Sequence, residues 1–131
     1  MHKILMVFLL IFILSACRDD TLDEKTYADF EHLSAWDDSR HDDIWLIYFY
    51  HPSCGACDEI KMDIFYFATH GSVPLYFLNA GNAVGRSPDQ AIQYVPTLVV
   101  MQGSQYIEFV VGVTDVRELL SAFDANRYEL P

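Results

Sequence analysis

Cysteine is scarce in this chain of 131 residues, basic side chains are outnumbered, and no apolar run is long enough to cross a bilayer as a helix. Three cysteines, at positions 17, 54 and 57, are too few for a disulfide-stapled miniprotein. Eight Lys and Arg against nineteen Asp and Glu leave a formal net charge of −11. Such a balance opposes binding to phosphate backbones and anionic lipid surfaces, so no nucleic-acid partner is expected. The apolar run Ile4–Leu14 falls well short of the roughly 20 residues that a membrane-spanning helix needs. What is present is apolar: hydrophobic residues make up 52% and aromatics 15%, far too much for a disordered chain. The length suits one domain with a single core, which excludes a multidomain enzyme.

The first 17 residues have the order of an export signal. Met1-His2-Lys3 carries one firm positive charge, Ile4–Leu14 fits a secretory apolar region, and Leu14-Ser15-Ala16-Cys17 follows directly. That last tetrad resembles the lipobox of bacterial lipoproteins. The resemblance implies that residues 1–16 are removed, that the Cys17 thiol carries the lipid, and that residues 17–24 form a lipidated N-terminus and polar tether. It further implies an extracytoplasmic place in the cell envelope, held to a membrane by the lipid anchor. An ordinary signal peptide with a chance cysteine and an uncleaved anchor are the alternatives. Loss of residues 1–16 removes Lys3 and no acid, so the exported part is more acidic still.

Downstream, Tyr27, Phe30, Leu33 and Trp36 recur every third position, and the spacing predicts an amphipathic helix over Lys25–Trp36, capped by Thr21 or Thr26. After a polar break, Ile44–Tyr50 is wholly apolar or aromatic and reads as a buried central strand. Cys54-Gly55-Ala56-Cys57 opens a segment with Ala56, Ile60, Ile64 and Ala68 at helical spacing, ending near His70-Gly71. Leu75–Leu78 is a second buried strand, and Asp89–Tyr94 a short helix. Leu98–Met101 and Tyr106–Val111 flank Gln102-Gly103-Ser104-Gln105, a hairpin signal. Thr114 is the expected cap of a last helix that turns Val116, Leu119, Leu120 and Phe123 inward. This order predicts an α/β domain over residues 25–126: a central mixed sheet, part parallel through crossovers and part antiparallel hairpin, flanked by helices on both faces. Residues 127–131 are a C-terminal tail. The aromatic pairs Tyr48/Tyr50 and Tyr66/Phe67 read as core and helix packing before they read as a ligand groove.

A C-x-x-C pair at a strand-to-helix junction carries specific chemistry. The first sulfur sits at the helix N-terminus, where unpaired N–H groups and the macrodipole favour the thiolate. The second lies one turn inside, placed to attack a mixed disulfide on the first. Zinc sites also use C-x-x-C, but a structural site needs four ligands and the chain has no second pair. His51 could add a third ligand to Cys54 and Cys57 for a softer metal such as copper, although a solvated loop residue is the plainer reading, and no metal is assigned. An inert structural disulfide is disfavoured, because so short a loop gives little chain-entropy stabilisation.

Together with its surroundings this pair resembles the thioredoxin superfamily. Pro96, in Val95-Pro96-Thr97, follows Cys54 by 42 residues and leads into a strand, and Val111-Gly112-Val113 precedes the last helix. The resemblance implies a thioredoxin-like fold, a cis-proline beside the active-site disulfide, and thiol–disulfide oxidoreductase activity. Cys54 would be the attacking thiolate and Cys57 the resolving thiol. Val95 and Pro96, with Gly55 and Ala56, would bind substrate. Protein thiols and disulfides would be the partners, together with a regenerating redox partner that the chain does not identify, and no cofactor is implied beyond the cysteines. The chain departs from the family pattern in four places, one being the helix after the cysteines, which lacks the usual mid-helix proline and has Met62 near that place. Gly55-Ala56 replaces Gly-Pro at the centre of the motif, Ser53 replaces an aromatic, and Tyr48 stands where the family carries a buried acid, with Asp58 or Glu59 as substitutes. Ala56 leaves one more backbone N–H near the sulfurs than proline would, which points to a reductant or intermediate exchanger more than a strong oxidase. A metal-delivery lipoprotein and an accessory binding scaffold on the same fold are the competing readings.

Overall fold

The computed structural model describes residues 21–34, 40–81 and 94–131. Ile44–Tyr50 forms β1, and every residue in it after Ile44 is buried, as its unbroken apolar run requires of a central strand. Leu75–Asn79 (β2) pairs parallel with it, from Leu46↔Leu75 to Tyr50↔Asn79. Thr97–Gln102 (β3) pairs antiparallel on the other side, and Gln105–Val111 (β4) completes a hairpin with β3. The sheet order is therefore β2-β1-β3-β4. Gly103 turns the hairpin at φ 59°, a left-handed conformation that glycine adopts without a Cβ penalty. Two bonds pin that turn to the start of β1: the Gly103 N–H donates to the Asp43 carbonyl at 3.2 Å, and the Trp45 indole N–H donates to the Gly103 carbonyl at 2.9 Å.

Gly55–His70 (α1) is the crossover between β1 and β2, and Val113–Asp124 (α2) follows β4. Cys57, Ile60, Ile64, Phe65 and Phe67 from α1 and Val116, Leu120 and Phe123 from α2 pack with Leu46, Tyr48, Tyr50, Leu98 and Val100 of the sheet. Fully burying one such aliphatic or aromatic side chain contributes about 1.5–3 kcal/mol. The opposite face of the sheet presents Trp45, Ile47, Phe49, Leu78, Val99 and Met101, packed with Leu33. Among the described residues both helices thus lie on one face. The cap of α2 is Gly112 and not Thr114. The Gly112 N–H donates to the Pro96 carbonyl at 2.9 Å, and this tie fixes the helix start two residues early.

The helix expected over Lys25–Trp36 does not form in the described part. Leu22–Glu24 and Tyr27–Asp29 are short 3-10 turns, after which the chain extends and His32 bridges in parallel to Phe77. The Leu33 N–H donates to the Phe77 carbonyl at 2.9 Å and the Phe77 N–H donates to the Glu31 carbonyl at 3.0 Å. These bonds satisfy the outer edge of β2, which a helix could not do. The three-residue spacing of Tyr27 and Phe30 still places both rings inward, against Phe65 and Phe77. Thr26 does act as a cap, its N–H donating to Asp29 Oδ2 at 2.7 Å. The signal segment, Cys17, Trp36 and all of the expected helix at Asp89–Tyr94 except Tyr94 lie outside the described residues.

Candidate active site

β1 ends at Tyr50, and the next four residues turn the chain into α1. The Cys54 N–H donates to the His51 carbonyl at 3.1 Å, and the Ser53 N–H donates to His51 Nδ1 at 3.1 Å, so the turn is closed by its own residues. Cys54 is the N-cap of α1, with φ −101° and ψ 113°. Its sulfur accepts the Cys57 N–H at 3.0 Å, and its carbonyl accepts the Asp58 N–H at 3.1 Å. The two cysteines form a disulfide with Cα atoms 5.1 Å apart. Their surroundings differ: Cys54 is half-buried and Cys57 is 1% exposed. Gly55 and Ala56 between them are exposed, and a Cβ at Gly55 would meet open space. One sulfur thus faces outward on a helix N-terminus and the other is enclosed by the core.

The loop before β3 comes to the same place. Cys54 Sγ lies 3.7 Å from the Val95 carbonyl oxygen. The Val95–Pro96 peptide bond is cis and Pro96 is buried. The Thr97 hydroxyl donates to the Tyr94 carbonyl at 2.6 Å, and Gly112 closes on Pro96 from the other side. Cys54, Val95, Pro96 and Gly112, far apart in the chain, therefore converge on one end of the sheet. His51 is exposed, and among the described residues no three His, Cys, Asp or Glu side chains are grouped to hold a metal ion.

Beneath the disulfide the core is aromatic. Tyr48, in the centre of β1, is fully buried, and its hydroxyl has no hydrogen-bond partner. The Tyr27 hydroxyl is also buried, and although neither forms a bond of full hydrogen-bond geometry, the two phenols are close enough to act on one another. The Tyr27 ring stacks on Tyr50 with centroids 3.8 Å apart, and the Tyr50 hydroxyl meets His32 Nε2 at 2.6 Å. Since His32 Nδ1 bonds the Phe30 carbonyl at 2.9 Å and must donate there, Nε2 accepts from Tyr50. Burial, reinforced by the Asp58 carboxylate, pushes the Tyr27 phenol up to about 12. Burial first, then the neighbouring Tyr27, raises the Tyr48 phenol far above the ordinary range. Asp58 is thus close enough to act on both hydroxyls. Tyr27 and His32 were not legible as neighbours of the site, because the segment that carries them reads equally well as a helix.

The family model for thioredoxin matches residues 26–125. Among solved structures, thioredoxin from Malassezia sympodialis is 19% identical and superposes with a TM-score of 0.60, covering 72% of this chain and 90% of its own. Mitochondrial thioredoxin 3 from Saccharomyces cerevisiae, in its oxidised form, is 15% identical with a TM-score of 0.58, covering 77% of this chain and 99% of its own. A mutant thioredoxin from Halobacterium salinarum is 22% identical with a TM-score of 0.56, covering 69% of this chain and 80% of its own. No match is found among the curated proteins. With its mixed four-stranded sheet, its disulfide at the start of α1 and a family match across most of its length, the chain belongs to the thioredoxin family.

Proposed function

We propose that this chain is an exported, membrane-tethered oxidoreductase that exchanges disulfides with other proteins through Cys54 and Cys57. One observation carries the reading: a half-buried Cys54 sulfur on a helix N-terminus, bonded to an enclosed Cys57 and beside the Val95 carbonyl. In the reduced protein the Cys54 thiolate attacks one sulfur of a substrate disulfide, forming a mixed disulfide and releasing the first substrate thiolate. Cys57, as thiolate, then attacks Cys54 Sγ. The bond to substrate breaks, the second substrate thiolate leaves, and the Cys54–Cys57 disulfide remains, so two electrons have passed to the substrate. A partner dithiol resets the protein by the reverse exchange. Gly55, Ala56, Val95 and Pro96 form the rim that a substrate segment meets.

The tether reading rests on the first 17 residues, with Cys17 as the lipid-bearing residue and the cell envelope as the place of action. Among the described residues no helix is long and apolar enough to cross a membrane, and the lipid supplies the anchor. The redox direction rests on Ala56. The sulfur already holds the Cys57 N–H, and an unsubstituted Ala56 N–H adds a dipole and no full charge, which fits a reductant or exchanger. The test is reduction of insulin disulfides by the domain with dithiothreitol as donor, together with alkylation of the reduced protein. Turnover is expected, lost in Cys54→Ser, and Cys54 should react with iodoacetamide far faster than Cys57. Absence of turnover, or equal alkylation of the two thiols, overturns the assignment. For the anchor, labelled fatty acid should enter the wild type and not Cys17→Ala; an unlabelled wild type refutes it.

A further inference from the structure

We propose that His51 is a positioning residue for Cys54: its neutral ring holds the turn that carries the attacking sulfur, and a proton taken up by the ring releases that turn. This rests on the oxidoreductase reading above and deepens it.

His51-Pro52-Ser53-Cys54 hands the chain from β1 to α1. After Pro52, which has no N–H, the turn offers two backbone donors, Ser53 and Cys54, and His51 accepts both. Its carbonyl takes the Cys54 N–H at 3.1 Å, and its Nδ1 takes the Ser53 N–H at 3.1 Å. Together the two bonds fix the successive peptide units that lead to Cys54. They thereby place a sulfur that accepts the Cys57 N–H at 3.0 Å and lies 3.7 Å from the Val95 carbonyl oxygen. The end of β2 seats the ring from the other side, although His51 is exposed. The Ala80 N–H donates to the Tyr50 carbonyl at 2.8 Å, and a Cβ on Gly81 would stand 3.6 Å from His51 Nε2.

A backbone N–H can only donate, so Nδ1 presents its lone pair and the neutral ring carries its hydrogen on Nε2. An imidazolium has a hydrogen on both nitrogens, and Nδ1–H then meets the Ser53 N–H donor to donor. The tie is lost, the Ser53 N–H turns to water, and the His51 carbonyl alone holds the turn. Imidazole is suited to such control because its protonation belongs to the physiological range. Among the described residues, the elements around the turn bring few other titrating groups. β1 brings Tyr50, whose hydroxyl is bonded to His32, and α1 brings Asp58 and Glu59 on its first turn. The Val95 loop brings Tyr94, and the end of β2 brings Asn79, which does not titrate and takes the Gly81 N–H at 2.9 Å.

The probe is dithiothreitol acting on the oxidised full chain, in which neither Cys54 nor Cys57 titrates. Its thiolate attacks Cys54 Sγ, the Cys54–Cys57 bond breaks, and Cys57 leaves as thiolate. Rates are taken per dithiothreitol thiolate between about pH 5 and 8. At the alkaline end His51→Ala is expected to be slower than wild type by about two- to tenfold, the range of one net hydrogen bond, because a loosened sulfur meets the incoming thiolate in line less often. His51→Asn should match the wild type there, since an asparagine oxygen accepts the N–H two residues on and takes no proton. As the pH falls, the wild type should drop to the rate of His51→Ala while His51→Asn stays level. The Ser53 amide resonance of the oxidised wild type should move with the His51 ring on one titration curve, and stay still in His51→Asn. Three equal rates at the alkaline end would mean that no tie acts on Cys54, and a wild type that rises above His51→Asn in acid would mean that the ring acts by its charge; either overturns the proposal. So does a wild type that tracks His51→Asn at every pH above a uniformly slow His51→Ala, because the bond is then structural and no proton controls it. A wild type with the expected profile that does not reduce insulin overturns the functional reading alone.

Discussion

Tyr27 and Tyr48 place two neighbouring buried hydroxyls in the core, and burial keeps both phenols from ionising where an exposed one would. The folded values lie above the unfolded value of about 10, so the folded state retains protons that the unfolded chain gives up. The stability this contributes is full below pH 10 and is lost as pH rises through the folded values. The melting temperature is therefore expected to be insensitive to these groups up to about pH 10 and to fall above it. Tyr27→Phe should flatten that fall. Tyrosinate absorbance followed beside far-UV circular dichroism checks this: full ionisation of Tyr27 and Tyr48 in a chain that keeps its folded signal would contradict it.

At the scale of elements, the end of α1 is set by a close approach. The Gly71 N–H donates to the Phe67 carbonyl at 2.6 Å, and a Cβ at Gly71 would stand 2.5 Å from that oxygen and 2.6 Å from the Phe67 ring. Gly71→Ala is expected to destabilise the fold by about 1–3 kcal/mol, as overpacking at a buried contact does. The urea midpoint should fall with no change in slope, and an unchanged midpoint would refute the contact. β1, α1 and the β3–β4 hairpin were legible in the sequence because each carries its own signal: an apolar run between polar breaks, an i, i+4 stripe, and two strands about a Gly turn. The C-x-x-C was legible for the same reason, while Val95-Pro96 and Gly112 stood out only through the resemblance to the thioredoxin superfamily. The N-terminal segment was not, since a period of three fits a helix face and a pair of 3-10 turns alike, and the free edge of β2 decides between them. Thr114 misplaces the start of α2 because that start depends on the bond from Gly112 to Pro96, which no local pattern records.

Over the whole molecule, a net charge of −11 means that the compact state brings like charges together. Among the described residues, the exposed pairs of Arg117 with Asp63 at 3.0 Å and Arg40 with Glu31 at 3.2 Å offset little of this, each contributing about 0–1 kcal/mol. Added salt is therefore expected to raise the melting temperature, because screening relieves more repulsion than it removes attraction. A fall between low and physiological ionic strength would show that the pairs dominate instead. The bridge from His32 to Phe77 also decides how the domain carries a mechanical load. Tension entering from the N-terminal side meets two backbone bonds and the Tyr27–Tyr50 stack before it reaches the four-stranded sheet. That segment is expected to peel first, as a fuse would, and its loss bares Tyr50, Phe65 and Phe77, the rings on which Tyr27 and Phe30 pack.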